Sequence, residues 1–296
     1  MRVKEIIEHT KITFSFEFFP PRTDKGWENL FQNVASLRAL APSWVSVTCG
    51  AGGATRENTH QLVMRIKRET DLSVVAHLVC AGSTRAEIHA VLQRYAAHGI
   101  DNILALRGDN PAPPSGDPTT GGFTHAVDLV AFIKEHFPCM CVGVAGFPEG
   151  HPDTPNRLKE IDLLKAKVDA GADYIITQLF FDNRDFYDFR ERCELAGIKA
   201  PIIAGVMPVL SRAGMLRIAE LALGARIPAR LIKAVSRADT DNHVEKVGAH
   251  WAAEQVRDLI DNQARGIHFY TLNTARATLK IYESLGVTDS CRLRQA

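Results

Sequence analysis

A glutamate stands among aromatic residues near the start of the chain, in the run FSFEFF at 14–19. Side chains alternate between the two faces of a strand, so three phenylalanines share one face and Glu17 shares the other with Ser15. If the phenylalanines face helices, the carboxyl group points inward. Apolar walls there would favour the protonated form that a general acid needs. An interior ion pair is the structural alternative, but unpaired buried carboxyls are rare, and we predict that Glu17 is catalytic.

Polar residues also end or follow most of the short apolar runs along the chain. They are Glu17, Thr48, His77, Arg107-Gly108-Asp109, Phe147 with His151, and Gln178. In a β/α barrel, the carboxyl ends of all strands meet at one mouth, where barrel enzymes place their sites. Asp109 is a second candidate acid, although a turn aspartate that bonds its own backbone would look the same. His77 is equally compatible with a ligand role and with a core histidine.

The elements that must position these residues alternate between strand and helix. We predict strands at 13–19, 44–48, 73–79, 102–106, 141–146, 173–178, 201–206 and 267–271, and later helices at 157–170, 183–196, 212–223, 242–264 and 274–284. Eight such units favour a single (β/α)8 TIM barrel of the α/β class over 1–296, with no separate regulatory domain. An open doubly wound sheet would alternate similarly, but it calls for G-x-G-x-x-G after the first strand, where Phe19-Pro20-Pro21-Arg22 stands.

Composition narrows the class of protein further. The 296 residues carry a net charge of +1 with no basic run, and no stretch is long and apolar enough for a membrane span. We therefore expect neither nucleic acid nor membrane as a partner, and a cytoplasmic location. Scattered cysteines indicate free thiols, and the motifs of metal hydrolases and serine nucleophiles are missing, so we expect no metal. The segment 111–122 (PAPPSGDPTTGG) is either a mobile loop over the mouth or a passive connection.

Seven blocks of the sequence, in order from residue 13 to about 287, are similar to motifs of the bacterial methylenetetrahydrofolate reductase family. They are SFEFFPPR (15–22), VSVT (45–48), AHL (76–78), ALRGD (105–109), VAGFPEGHP (144–152), ITQLFFD (176–182) and HFYTLN (268–273). The resemblance implies a flavin-dependent reductase of one-carbon folate metabolism and methionine biosynthesis. It would use noncovalent FAD, with NADH or NADPH as electron donor, to convert 5,10-methylenetetrahydrofolate to 5-methyltetrahydrofolate by ping-pong kinetics.

The resemblance also implies roles for individual residues. Glu17 matches the acid that protonates the bridging nitrogen of the folate, and Asp109 matches the acid between flavin and pterin. Glu17, Asp109, Gln178 and Leu272 would contact substrate. The positions that would hold FAD are Thr48, His77, Arg107, Gly108, Asp109, His125, Ala145, Phe147, His151, Glu160 and Lys167.

Some positions depart from the family pattern. Cys49 and His125 stand where tyrosine is usual, Glu160 replaces an aspartate, and Thr274 stands where arginine is common. The segment 210–213 lies where an aromatic residue usually stacks on the folate. A second flavin barrel oxidoreductase with a shifted substrate is therefore one alternative, and a flavin-free pterin-binding transferase is another. A homo-oligomer is compatible with the sequence.

Overall fold

The computed structural model describes residues 1–49, 53–108, 122–222 and 224–294. Eight parallel strands pair in sequence order and close on themselves, β1 pairing with β8. The strands are β1 Thr13–Phe18, β2 Trp44–Val47, β3 Val74–Val79, β4 Asn102–Leu106, β5 Cys141–Gly146, β6 Tyr174–Thr177, β7 Ile202–Val206 and β8 Gly266–Tyr270. The predicted TIM barrel is confirmed, and the open doubly wound sheet is excluded.

Helices surround the barrel and follow its strands. Their bounds are α1 Val3–His9, α2 Asp24–Arg38, α3 Gly53–Glu69, α4 Arg85–Ala97, α5 Ala126–His136, α6 Arg157–Asp169, α7 Asn183–Leu195, α8 Arg212–Leu221, α9 Ala229–Ser236, α10 Asp241–Asp261, α11 Arg276–Ser284 and α12 Ser290–Arg294. In the described part of the chain, no helix has both the length and the apolar character of a membrane span. No group of three or more potential metal-binding side chains occurs there either.

The predicted alternation of β1 is confirmed. The rings of Phe14, Phe16 and Phe18 are buried in the layer between strands and helices, where Phe16 packs near Phe269 and Tyr282. Ser15 and Glu17 therefore face the barrel interior. This arrangement follows from the period of two along a strand, because one face is apolar enough to pack on helices and the other is not.

The amino ends of the strands, here called the bottom of the barrel, are closed by α1. Val3 and Ile7 of this helix are buried in a cluster with interior side chains that include Trp44, Cys141 and Tyr174. The backbone amide of Val3 donates to Asn102 Oδ1 over 2.8 Å. The mouth at the carboxyl ends is therefore the open end of the barrel interior.

All eight predicted strands are present, and their ends differ from the prediction by at most one residue. Helices α1, with seven residues, and α9, with eight, are among those that were not predicted. Each is short and buries two residues, Val3 with Ile7 and Leu231 with Val235. A pattern of two apolar residues four apart is too brief to distinguish a helix from a loop by periodicity.

Candidate active site

Glu17 lies one residue before the end of β1, with its side chain inside the mouth of the barrel and 16% exposed. Its Oε2 atom is 3.5 Å from Nε2 of His77 on β3 and 3.5 Å from Nε2 of His268 on β8. The expectation of apolar walls is therefore wrong, because two imidazoles face the carboxyl group. No Arg or Lys is among the described partners of Glu17, so an ion pair with a permanent cation does not account for its position.

The two imidazoles differ in their surroundings. Burial lowers the pKa of His77 to about 4 despite the nearby charge of Glu17, so this ring is neutral at physiological pH. Its Nε2 atom is buried without a hydrogen-bond partner in the described structure. His268 is completely buried, and its Nδ1 lies 2.8 Å from the hydroxyl of Ser15. The ring of Tyr270 meets it edge-on with centroids 5.2 Å apart.

The backbone around Glu17 is fixed by the segment that follows β8. The Thr271 hydroxyl donates to the carbonyl of Glu17 over 2.5 Å. The amide group of Asn273 bonds both the N–H and the C=O of Phe19, at 2.9 and 2.8 Å. These contacts anchor the chain on both sides of the acid, so its position is set by β8 as much as by β1.

Tyr270 fills the interior beside this site because β7 carries a glycine opposite it. The Tyr270 hydroxyl donates to the carbonyl of Thr177 over 2.7 Å. A Cβ atom on Gly205 would lie 2.8 Å from Cε2 of the Tyr270 ring and would also collide with that carbonyl. Burial raises the pKa of Tyr270 well above its usual range, so the hydroxyl stays protonated and remains a donor.

The residues expected to hold a cofactor follow four neighbouring strands, β2 to β5. We call this part of the mouth the cofactor arc. Thr48 and Arg107 are half-buried there, and the Arg107 guanidinium bonds Asp153 over 3.1 Å. Gly108 has a φ of +87°, and a Cβ atom at this position would collide with Val79. Only glycine therefore lets the chain turn this tightly after β4.

The remaining members of the cofactor arc lie on β5, the segment after it and α6. Nζ of Lys167 donates to the carbonyl of Ala145 over 2.7 Å, and burial lowers its pKa to about 8. Oε1 of buried Glu160 accepts from the backbone N–H of His151 at 2.6 Å. The ring of His151 in turn meets Phe147 edge-on at 4.7 Å. The cofactor arc thus contains a buried ammonium and two aromatic rings.

The segment after β5 is held by an arginine from the connection between α8 and α9. Arg226 Nε lies 3.0 Å from Oε1 of Glu149, and its NH2 group lies 2.5 Å from Oδ1 of Asp185. The Glu149 side chain is 6% exposed, and burial raises the pKa of its carboxyl group. We call these three residues the Arg226 latch. Because Glu149 lies between Phe147 and His151, the latch fixes the loop that carries both rings.

The residues expected to contact substrate lie on the other side of the mouth. Gln178 follows β6, and its Oε1 bonds the backbone N–H of Leu179 over 2.9 Å. Leu272 follows β8, is 42% exposed and has a φ of +51°. With Glu17 on β1 they form what we call the substrate arc. The barrel closes through β8 and β1, so the two arcs complete one mouth, and Glu17 of one arc lies 3.5 Å from His77 of the other.

The remaining expectations from the sequence concern Asp109, the segment 111–122, His125 and Arg212. Asp109 and residues 110–121 lie outside the described residues, so the second acid and most of the 111–122 segment stay predictions. His125 precedes α5, where the Asp128 carboxylate accepts from its backbone N–H over 2.9 Å. Arg212, in the segment where an aromatic is usual, donates to the carbonyls of Ser236 and Ala238. That guanidinium is therefore engaged by the connection between α9 and α10.

Three residues of this region received no role from the sequence. His268 and Tyr270 alternate with Ile267 and Phe269 on β8, a pattern that marks them as inward-facing polar residues. That signal was available in the sequence. Arg226 offered no local signal, because its partners are 77 and 41 residues away in the chain.

Comparisons with known proteins identify the family of this chain. The methylenetetrahydrofolate reductase family model matches residues 2–286. The chain is 39% identical over 278 residues to 5,10-methylenetetrahydrofolate reductase of Salmonella typhimurium. The alignment covers 94% of this chain and 92% of that protein. It is 36% identical over 310 residues to methylenetetrahydrofolate reductase (NADH) 1 of Arabidopsis thaliana, covering all of this chain. The chain spans 52% of that plant relative.

Among solved structures, an uncharacterized protein from Clostridium thermocellum that binds two copies of 5-methyl-5,6,7,8-tetrahydrofolic acid superposes with a TM-score of 0.66. The match covers 96% of this chain and 99% of that one at 13% identity. An oxaloacetate acetylhydrolase structure superposes with a TM-score of 0.54 at 12% identity, covering 99% of this chain and 91% of that one. At these identities the likeness shows the fold alone.

Proposed function

The chain belongs to the methylenetetrahydrofolate reductase family, and from this premise we propose that its barrel mouth reduces 5,10-methylenetetrahydrofolate through a noncovalently bound FAD, with Glu17 as the general acid. Family membership makes it an NAD(P)H-dependent reductase. The observation that carries the assignment of the site is the carboxyl group of Glu17, held inside the mouth between two imidazoles, one of which, His77, belongs to the cofactor arc.

The residues of the cofactor arc suit FAD. A dinucleotide carries two phosphates, and Arg107 and Lys167 supply cationic groups at neighbouring strand ends. The buried Nε2 of His77 lacks a partner in the described structure and is available to a flavin heteroatom. Gly108 lets the backbone approach a ligand closely. Thr48, Ala145, Phe147 and His151 complete the set, with Glu160 positioning His151.

FAD held by the cofactor arc would supply the hydride chemistry between nicotinamide and folate. The protein residues supply the proton and the geometry. Glu17 would donate a proton to the bridging nitrogen of the folate, which opens the five-membered ring to a species that can accept hydride. The substrate arc would hold the pterin through Gln178. We propose that Asp109 also contacts it.

Replacing Glu17 with glutamine tests this proposal. The exchange keeps size and hydrogen bonding but removes the acidic proton, so FAD content should be retained. Ring opening is needed only in the folate half-reaction, which should slow by roughly 10²- to 10⁴-fold, the usual contribution of a general acid. Nicotinamide oxidation should change little. The two half-reactions are measured anaerobically by stopped flow, following the loss of flavin colour with nicotinamide and its return with methylenetetrahydrofolate.

Glu191→Gln is the matched control, because Glu191 is an exposed residue of α7 away from the mouth. Equal slowing of both half-reactions in Glu17→Gln would make Glu17 structural, and no slowing would transfer the acid role, with Asp109 the next candidate. A purified protein that is colourless and takes up no added FAD would overturn the flavin assignment and favour a pterin-binding transferase. A flavoprotein that does not turn over methylenetetrahydrofolate would favour the shifted-substrate reductase.

A further inference from the structure

His268 is completely buried directly beneath the candidate acid, and the mechanism above gives it no task. Both of its ring nitrogens face defined partners. Nδ1 lies 2.8 Å from the Ser15 hydroxyl, and Nε2 lies 3.5 Å from Oε2 of Glu17 and 3.4 Å from the Ser46 hydroxyl. A neutral imidazole carries one N–H and one acceptor nitrogen, so the tautomer decides what Glu17 meets.

The Ser15 hydroxyl selects the tautomer. It has two acceptors within reach, the carbonyl of Ile267 at 3.5 Å and Nδ1 of His268 at 2.8 Å. The shorter distance is the usual one for a hydroxyl donor, whereas 3.5 Å is the outer limit of a hydrogen bond. A hydroxyl that donates to Nδ1 over 2.8 Å leaves the ring proton of His268 on Nε2, facing Glu17.

An N–H directed at Oε2 acts on both protonation states of the acid. When Glu17 is protonated, a donor at Oε2 makes that atom the carbonyl oxygen and leaves the proton on Oε1. When Glu17 has given its proton away, the same N–H donates to the carboxylate. No hydrogen bond from a described residue reaches Oε1, so this oxygen is free to address the mouth. The contact of 3.5 Å is long, as catalytic hydrogen bonds often are before substrate binds.

We propose that His268 is a positioning residue, kept by Ser15 in the tautomer with its proton on Nε2, which orients the carboxyl group of Glu17 so that the acidic proton points from Oε1 into the mouth. The inference rests on the proposed function of Glu17 as the acid. The other titratable groups of the described residues that act on Glu17 are His77 from β3 and Tyr270 from β8. Both are neutral near pH 7, so neither competes for the proton.

The first test reads the tautomer and needs no catalysis. Nitrogen-15 NMR of uniformly labelled protein distinguishes a protonated ring nitrogen from an unprotonated one, and the His268→Asn variant identifies the signals of His268 among the eleven histidines. We expect a single neutral tautomer with the proton on Nε2. Ser15→Ala should mix the two tautomers, whereas Ser46→Ala, an equally buried serine next to Nε2, should not. A proton on Nδ1 in the unmodified protein would overturn the proposal.

The second test compares two replacements of His268 in the folate half-reaction. The amide nitrogen of glutamine reaches the place of Nε2, whereas that of asparagine reaches only the place of Nδ1. We expect His268→Gln to stay within about tenfold of the original rate and His268→Asn to lose roughly 10- to 100-fold, a range that one to two hydrogen bonds to a charged group would give. Flavin reduction by nicotinamide should be unchanged in both.

The pH profile separates positioning from packing. Without an N–H at Oε2, the carboxylate loses stabilisation, so in His268→Asn the fall of the folate half-reaction on the alkaline side should move to higher pH by about one unit. In His268→Gln it should stay in place. Slower rates with no movement of the profile would show a merely structural role and defeat the proposal. If the unmodified protein has no folate half-reaction, the proposed function fails instead, while the NMR result still stands.

Where both His268 variants fail to fold, Ser15→Ala provides the kinetic test. This exchange removes only a hydroxyl group and leaves a small side chain at the position. It should slow the folate half-reaction by about fivefold, the equivalent of one neutral hydrogen bond, and leave nicotinamide oxidation unchanged. An unchanged folate rate in Ser15→Ala, together with an unchanged tautomer, would refute the selection by Ser15.

Discussion

Individual side chains at the mouth are tuned by burial. A clear case is Lys167, whose ammonium bonds the carbonyl of Ala145 and whose pKa is lowered to about 8 by burial. Below that pH the group is a cation beside the cofactor arc, and above it the group is neutral. A bound anion favours the cation, so the affinity for an anionic ligand must fall as the pH rises through about 8.

We therefore expect the affinity of the protein for FAD to weaken between pH 7 and 9, by at most tenfold per pH unit, and Lys167→Met to lower affinity at pH 7 and to flatten this dependence. Fluorescence quenching of FAD on titration with flavin-free protein measures both. Lys165→Met is the matched control, since Lys165 lies on the same helix and pairs with exposed Asp169. The same slope in Lys167→Met as in the unmodified protein would remove Lys167 from the FAD site.

Sequence alone placed most of these side chains but not their neighbours. The alternation of β1 predicted that Glu17 points inward, because that inference needs only the period of a strand. It did not predict that two imidazoles meet the carboxyl group, since His77 on β3 and His268 on β8 approach Glu17 across the interior only when the strands form the closed barrel. Lys167 and Glu160 came only from resemblance, because a helix residue beside a strand end has no signature of its own.

At the scale of the elements, the loop after β5 depends on a contact with the connection between α8 and α9. Arg226 is 72% exposed, but its partners Glu149 and Asp185 are largely buried, and each keeps one buried oxygen without a partner in the described structure. Removing the arginine would leave two carboxyl groups facing each other without a cation. Like charges in a buried site repel, so the loop that carries Phe147 and His151 should loosen.

Arg226→Ala should weaken FAD binding by about 5- to 30-fold, equivalent to roughly 1 to 2 kcal/mol, and lower the melting temperature only slightly. Titration of the flavin-free variant and a thermal melt measure the two effects. Arg184→Ala is the control, because Arg184 pairs with Asp182 on the surface, and exposed pairs contribute little. Equal FAD affinity in Arg226→Ala and the unmodified protein would show that the latch does not position the cofactor loop.

The ends of helices were predicted better than the short helices were. The Thr84 side chain caps α4, and the Glu87 carboxylate accepts from the Thr84 backbone N–H, which is the arrangement typical of a T-x-x-E pattern. A cap is local and can be read from four residues. By contrast, α1 is a helix because it fills the bottom of the barrel, and nothing in its own seven residues reveals that opening.

Across the whole molecule, the two ends of the barrel divide stability from chemistry. The bottom is sealed by α1, and Ile7 is 3% exposed there. Ile7→Ala should cost about 2 to 4 kcal/mol by leaving a cavity and lower the melting temperature by roughly 5 to 10 °C. FAD affinity and both half-reactions should be unchanged below the melt, because the mouth lies at the other end of the strands.

Leu195→Ala is the control for this truncation, since Leu195 is 88% exposed and its loss removes no packing. Calorimetry or circular dichroism gives the melting temperature, and the stopped-flow assay gives the half-reactions. A loss of FAD affinity in Ile7→Ala at 25 °C would mean that the bottom and the mouth are coupled through the barrel interior.

The pairing of β1 with β8 determines when the proposed acid site can form during folding. Ser15 and His268 are 253 residues apart, and Thr271 and Glu17 are 254 apart, so their contacts close nearly the longest loops in the chain. Closing long loops has an entropic cost that local pairings avoid, and non-local contacts form late. On a ribosome, β8 also emerges after the other seven strands. The loops of the cofactor arc can therefore assemble while Glu17 still lacks His268 and Thr271, and the newly made barrel completes the proposed acid site only at its last step.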